Sequence, residues 1–125
     1  MTAKIAHFLA ETRPETPCLV VDLDVVAENY TRLKTALPLA EIYYAVKANP
    51  APPVVDTLAG LGARFDAASI YEVEQLVGQG ISADRISFGS TIKKTAHIAR
   101  AYALGVRLFA FDSPAEVDKL AAAAP

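Results

Sequence analysis

The side chains best placed to do chemistry are a lysine and two acids near the middle of the chain. Lys47 follows the apolar run Ile42-Tyr43-Tyr44-Ala45-Val46, Asp66 lies among small residues in Phe65-Asp66-Ala67-Ala68-Ser69, and Glu72 comes shortly after Ser69. Read as a strand, the apolar run puts Lys47 on the same face as Tyr43 and Ala45, pointing toward the interior of an α/β arrangement. A buried ammonium is costly unless it is paired, neutralised or converted covalently. A Schiff base with an aldehyde cofactor would remove that cost and supply a catalytic handle. On pattern alone, a structural lysine capping the strand end is the favoured alternative. For Asp66, the small neighbours leave room for a ligand, while the plainer reading is that Asp66 or Ser69 caps the following helix. Glu72, in the first turn of that helix, could equally do no more than complement the helix dipole.

Other chemistries find less support. Gly89-Ser90-Thr91-Ile92-Lys93-Lys94 combines a flexible strand end with two cations. An anion site is conceivable there, and a solvated helix start is favoured. His7 and His97 have no histidine, cysteine or acidic companions at metal-ligand spacing, so both read as surface or capping residues and no metal site is expected. No serine sits in a nucleophile-elbow pattern. The single cysteine, Cys18, lacks an arranged base, and in Pro17-Cys18-Leu19-Val20-Val21 it reads as a buried structural thiol.

The elements that must position these residues repeat. Residues 1–17 read as a short helix around Ile5 to Leu9 and a proline-punctuated linker, and residues 18–41 as a strand from Cys18 to Leu23, an N-cap at Asp24 and a helix. Residues 42–125 then give four βα units, with strands at Ile42 to Val46, Ala63 to Ala67, Arg85 to Phe88 and Arg107 to Phe111. Helices near Pro52 to Leu61, Tyr71 to Gly78, Thr95 to Leu104 and Pro114 to Ala123 follow them, with Gly62, Gly80 and Gly105 at helix ends or in the next turns. Alternating strands and helices imply a parallel sheet, doubly wound or closed into a barrel. No glycine-rich dinucleotide loop or phosphate-binding loop follows the first strand, so a barrel is preferred. In that architecture functional groups gather at the C-terminal ends of the strands. Lys47, Asp66, Ser69, Gly89, Ser90, Asp112 and Ser113 all belong there.

Composition narrows the classes further. At 125 residues, the chain is about half the length of a complete eight-stranded barrel. With 53% apolar and 21% charged residues, it is too hydrophobic for disorder. A net charge of -2 with scattered lysines and arginines offers no electrostatic footprint for nucleic acid or an anionic membrane, which favours a small-molecule substrate. The absence of a long apolar stretch or a signal-peptide layout leads to a cytoplasmic reading. Half a barrel with open edges points to truncation of a longer protein.

Taken in order, Tyr44-Ala45-Val46-Lys47-Ala48-Asn49-Pro50, Phe65-Asp66-Ala67-Ala68-Ser69 with Glu72, Ile86-Ser87-Phe88-Gly89-Ser90-Thr91-Ile92-Lys93-Lys94 and Phe111-Asp112-Ser113 resemble successive blocks of one family. That family is the fold-type III pyridoxal-phosphate-dependent decarboxylases acting on ornithine, diaminopimelate and arginine, and the likeness is strongest to the bacterial ornithine decarboxylases. It covers the chain from about Pro17 onward; Ser90 departs from the asparagine usual in that group. The resemblance implies the N-terminal half of a (β/α)8 TIM-type barrel of the alanine-racemase-like class. The strand from Cys18 to Leu23 would join a C-terminal β-domain of the complete protein, a domain absent here.

The resemblance also implies a chemistry. Lys47 would form the Schiff base with pyridoxal 5'-phosphate, and Asp66 and Glu72 would line the cofactor pocket. Substrate amine would displace Lys47, carbon dioxide would leave, and protonation at Cα would give the amine, putrescine from ornithine. The histidine stacking on the cofactor, the phosphate loop, the acid at the pyridine nitrogen and the residues completing a partner's site in a homodimer would lie beyond Pro125, so Cys18 is not the family's catalytic cysteine. The isolated chain is expected to be inactive. The rival readings are a diaminopimelate, lysine or arginine decarboxylase, a racemase on the same barrel, and a non-catalytic remnant that binds a full-length subunit.

Overall fold

A computed structural model describes residues 1–125. Two helices, α1 (Ala3–Thr12) and α2 (Leu23–Ala36), precede the repeating part. There, β1 (Tyr43–Ala45), α3 (Pro52–Gly60), β2 (Arg64–Ala67), α4 (Ile70–Gly78), β3 (Ile86–Phe88), α5 (Thr95–Ala103), β4 (Leu108–Phe109) and α6 (Pro114–Ala123) alternate without interruption. The strands are all parallel, in the order β1-β2-β3-β4. A doubly wound sheet reverses its strand order at a switch point, and this one does not, so the barrel expectation holds.

Register assigns every strand residue to a face. Tyr44, Phe65, Ala67, Ile86, Phe88 and Phe109 point toward the helices, and Phe65, Ala67, Ile86 and Phe88 are buried in one core with Val54, Val55, Leu58, Val73 and Leu76. Fully burying a side chain of this kind contributes roughly 1.5–3 kcal/mol, so this layer dominates stability. The opposite face carries Tyr43, Ala45, Arg64, Asp66, Ser87 and Leu108. No helix covers it, and Leu108 is half exposed. Turns at the N-terminal ends use Gly62, Gly80 and Gly105, all at positive φ, where a side chain would be strained.

Several expectations need correction. Cys18 to Asp22 forms no strand, because no neighbouring backbone offers it a ladder, and Leu23 already belongs to α2. The cap of α2 is Asp22 and not Asp24: Asp22 Oδ1 accepts from the Asp24 N–H at 3.2 Å, which places Asp24 in the first turn. Asp22 is held below the usual carboxylate range, burial opposing the shift while the Thr2 hydroxyl, the Asp24 N–H and Lys4 produce it. Cys18 is exposed, since the segment it sits in runs across α1 along a groove beside Ile5 and Phe8 with nothing packed over it. No helix is long and apolar enough to cross a membrane.

Candidate active site

The rim at the C-terminal ends of the strands is built from short-range rules. After Ala45 the chain leaves β1 in a single 3-10 turn, Val46–Ala48. Val46, fully buried, turns into the helix-side core, and Lys47 next to it is exposed. The sequence pattern suggests a buried ammonium here; the structure leaves Lys47 exposed, just past the end of β1 at Ala45. Asn49 closes the turn, its Oδ1 accepting from the Ala51 N–H at 3.1 Å, while the Tyr44 hydroxyl donates to the Asn49 carbonyl at 3.2 Å. Burial raises the Tyr44 phenol above its usual value, which keeps it the neutral donor this bond requires. Pro52 then opens α3, a position that needs no N–H.

Asp66 lies within β2, opposite Ala45 on one side and Ser87 on the other. Its side chain stands on the uncovered face. Ser87 Oγ donates to Asp66 Oδ1 at 2.5 Å, a short charge-assisted bond. Ser69, not Asp66, caps α4: its Oγ accepts from the Glu72 N–H at 3.3 Å. Glu72 reaches back past the cap, Oε2 accepting from the N–H of Ala68, the residue before Ser69, at 2.6 Å. Lys47, Asp66 and Glu72 thus come from the same ends of neighbouring units, with Glu72 partly committed to its helix.

The main departure concerns Lys93. Its side chain is fully buried, where the pattern favours a solvated helix start. Lys93 Nζ meets Glu116 Oε1 at 2.9 Å and donates to the carbonyls of Ser90 (2.8 Å) and Ala110 (2.6 Å). Glu116, 2% exposed, also accepts from the Lys93 N–H at 3.1 Å and meets Lys119 Nζ at 2.5 Å. Lys119 and Lys93 together hold the Glu116 carboxyl down from 4.5 to about 2. The signal available in the sequence was Ser113-Pro114-Ala115-Glu116, a serine cap like Ser69 with a glutamate three residues on that lies one helical turn before Lys119. Lys94 alone behaves as the solvated cation.

The remaining candidates are accounted for. Ser113 caps α6 and Asp112 is exposed beside it. His7 pairs with Glu11 at 3.3 Å, and His97 meets the ring of Tyr71 edge-on.

Comparison with known proteins places this chain in a family. Residues 23–125 match the family model described as "pyridoxal-dependent decarboxylase, pyridoxal binding domain". A "lysine/ornithine decarboxylase" of Selenomonas ruminantium is 41% identical over 125 residues, covering all of this chain and 32% of that protein. Among solved structures, a lysine/ornithine decarboxylase from Vibrio vulnificus complexed with cadaverine superposes with TM-score 0.88 at 35% identity, covering 98% of this chain and 34% of that one. An arginine decarboxylase of Paramecium bursaria Chlorella virus superposes with TM-score 0.90 at 27% identity, covering 100% and 34%. The chain spans about a third or less of the length of the relatives it matches.

Proposed function

The chain belongs to the pyridoxal-dependent decarboxylase family, whose pyridoxal-binding domain it carries, and from that premise we propose that Lys47, Asp66 and Glu72 serve the decarboxylation of a basic amino acid. L-ornithine giving putrescine is the leading substrate and product. The observation that carries this reading is a solvent-reachable primary amine at the end of β1, beside the strand that holds the fixed carboxylate of Asp66.

These residues fit pyridoxal 5'-phosphate. An aldehyde needs an approachable amine, and Lys47 is exposed with no carboxylate paired to it. A ring needs room beside fixed charge, and the row Ala45, Asp66, Ser87 provides small side chains on either side of one acid. When bound, the cofactor supplies an aldehyde carbon for the lysine and a conjugated ring that accepts the electron pair freed as carbon dioxide leaves. Lys47 would hold the cofactor through its exposed amine. Asp66, with Oδ1 tied to Ser87, would present a carboxylate held in place on the strand next to β1. Glu72, bonded by Oε2 to the Ala68 N–H, would add a second acid at the start of α4.

Lysine is the second substrate of this reading, favoured by the lysine/ornithine decarboxylases that are 41% and 35% identical. Polyamine synthesis, a cytoplasmic setting and homodimeric assembly belong to the same proposal. Borohydride reduction of the chain after treatment with pyridoxal phosphate, followed by peptide mapping, is expected to place a stable pyridoxyl group on Lys47. No label, or label only elsewhere, overturns the assignment. Ornithine turnover is expected to be absent from these 125 residues alone and to need segments matching the rest of the relatives' length. Robust putrescine release by the chain without an added partner would contradict this.

A further inference from the structure

We infer that Ser87 and Gly89 together position the Asp66 carboxylate, so that Ser87 acts on the cofactor through Asp66. What Asp66 then touches rests on the functional reading above; the positioning itself rests on the geometry of the chain.

Within β3, Ile86 and Phe88 face the helices and are buried in the core. Ser87 faces the other way, directly opposite Asp66, and is only 8% exposed. A hydroxyl in so closed a place must find a partner, and it donates to Asp66 Oδ1. Two residues after Ser87, Gly89 continues the same ladder, its N–H donating to the Ala67 carbonyl at 2.8 Å. Strand periodicity returns Gly89 to the face of Ser87 and Asp66. A Cβ on Gly89 would lie 2.1 Å from Asp66 Oδ1, 2.6 Å from Oδ2 and 2.7 Å from Cγ, far inside contact distance. The space that glycine leaves open is therefore the space the carboxylate fills.

The three residues form a seat with two constraints. Ser87 fixes one oxygen by a hydrogen bond, and Gly89, lacking a Cβ, leaves the carboxylate the room it occupies beside β3. Oδ1 is spent on Ser87, which leaves Oδ2 for the rim. Gly89 cannot retreat, because the next residue is anchored: the Ser90 carbonyl accepts from the buried Lys93 ammonium, which also holds Ala110 and Glu116. Whatever would crowd Gly89 must thus move Asp66. The atoms in the way are the far end of a side chain, so the cost falls on the orientation of Asp66 and little on the fold.

A double-mutant cycle tests this. Pyridoxal phosphate binding by the full chain, followed by its visible absorption, is expected to weaken about tenfold in Ser87→Ala, the size of one hydrogen bond to a charged group. Ser87→Thr, which keeps the hydroxyl, is expected to restore binding, and Ser87→Ala is expected to add nothing in an Asp66→Asn background. Equal losses from Ser87→Ala in both backgrounds would show that Ser87 acts independently of Asp66 and overturn the inference. A second readout needs no cofactor. The carbon resonance of the Asp66 carboxyl is expected to shift in Ser87→Ala and in Gly89→Ala, with circular dichroism unchanged, and to stay near its original position in Ser87→Thr. An unmoved resonance in Gly89→Ala and Ser87→Ala overturns the positioning role. If the unmodified chain takes up no pyridoxal phosphate at Lys47, the functional reading fails, and the resonance still decides the role of Ser87 and Gly89.

Discussion

Lys47 follows β1 and Lys93 follows the third strand, β3, and the fold treats the two side chains in opposite ways. Lys47 sits outward on a 3-10 turn, exposed and without a carboxylate partner. Lys93 is buried, with a carboxylate at 2.9 Å and two backbone carbonyls within hydrogen-bond distance. A lysine surrounded in this way is a building element: its donors are committed, and removing any partner leaves an uncompensated group in a dry place. Lys47, on a turn fixed by Asn49 and Tyr44, carries an unpaired amine on a backbone held in place, which suits the role proposed for it. The difference comes from the glutamates nearby. Glu116 follows its capping serine by three residues and turns to Lys93 and Lys119, whereas Glu72, at the same place in the same motif, turns back on the Ala68 N–H.

The sharpest way to break this contrast is to delete each amine. Lys93→Ala empties a packed position and strips the Ser90 and Ala110 carbonyls of their donor, so chemical denaturation is expected to show a loss of about 3 kcal/mol or more. Lys47→Ala is expected to leave the denaturation midpoint where it was and to abolish the borohydride-stable adduct. Equal destabilisation by the two substitutions would mean that Lys47 is also structural, and the division of roles would fall.

The next test uses acid. The Glu116 carboxyl is held at about 2 in the folded chain, below its ordinary 4.5, because Lys119 and Lys93 bond its charged form. Its folded value is depressed, so the stability it contributes is present above the unfolded value and is lost as pH falls from about 4.5 toward about 2. Glu116→Gln keeps the shape and removes the titration. The variant is expected to be less stable than the parent at neutral pH, with the gap narrowing through that acid range. A constant gap at all pH values would show that the carboxylate's charge is not what holds Lys93.

How much of this was legible in the sequence follows from the range of each interaction. The alternation of strand and helix, the helix-ending glycines and the fourth repeating helix, Pro114–Ala123, are local patterns, and the fold follows them closely. The Lys47 motif lies at the end of β1, as the pattern has it, and the structure adds that its side chain is exposed. Its exposure depends on where β1 stops, and strand ends are set by the partner strand: Ala45 is the last residue with a partner, Asp66. Cys18 to Leu23 reads as a strand by composition, yet a strand exists only where a second backbone answers it. Lys93 and Ser87 were missed because their partners lie 23 and 21 residues away. Only register and helix packing bring such pairs together, and neither is visible in a run of residues.

The smallest expected effect separates the two serine caps themselves. At α4, the Glu72 N–H has the Ser69 hydroxyl as its partner, so Ser69→Ala leaves a helix-end donor unsatisfied and is expected to cost about 1 kcal/mol. At α6, the Glu116 N–H is shared between the Ser113 hydroxyl at 3.3 Å and the Ser113 carbonyl at 3.2 Å, so Ser113→Ala keeps part of the bond and is expected to cost about half as much. Urea denaturation of both variants at neutral pH resolves the difference. A larger loss at Ser113 would carry its own meaning: the cap would then be holding Glu116 against Lys93 and Lys119, and the buried cluster would depend on a hydroxyl at the helix start as much as on its charges.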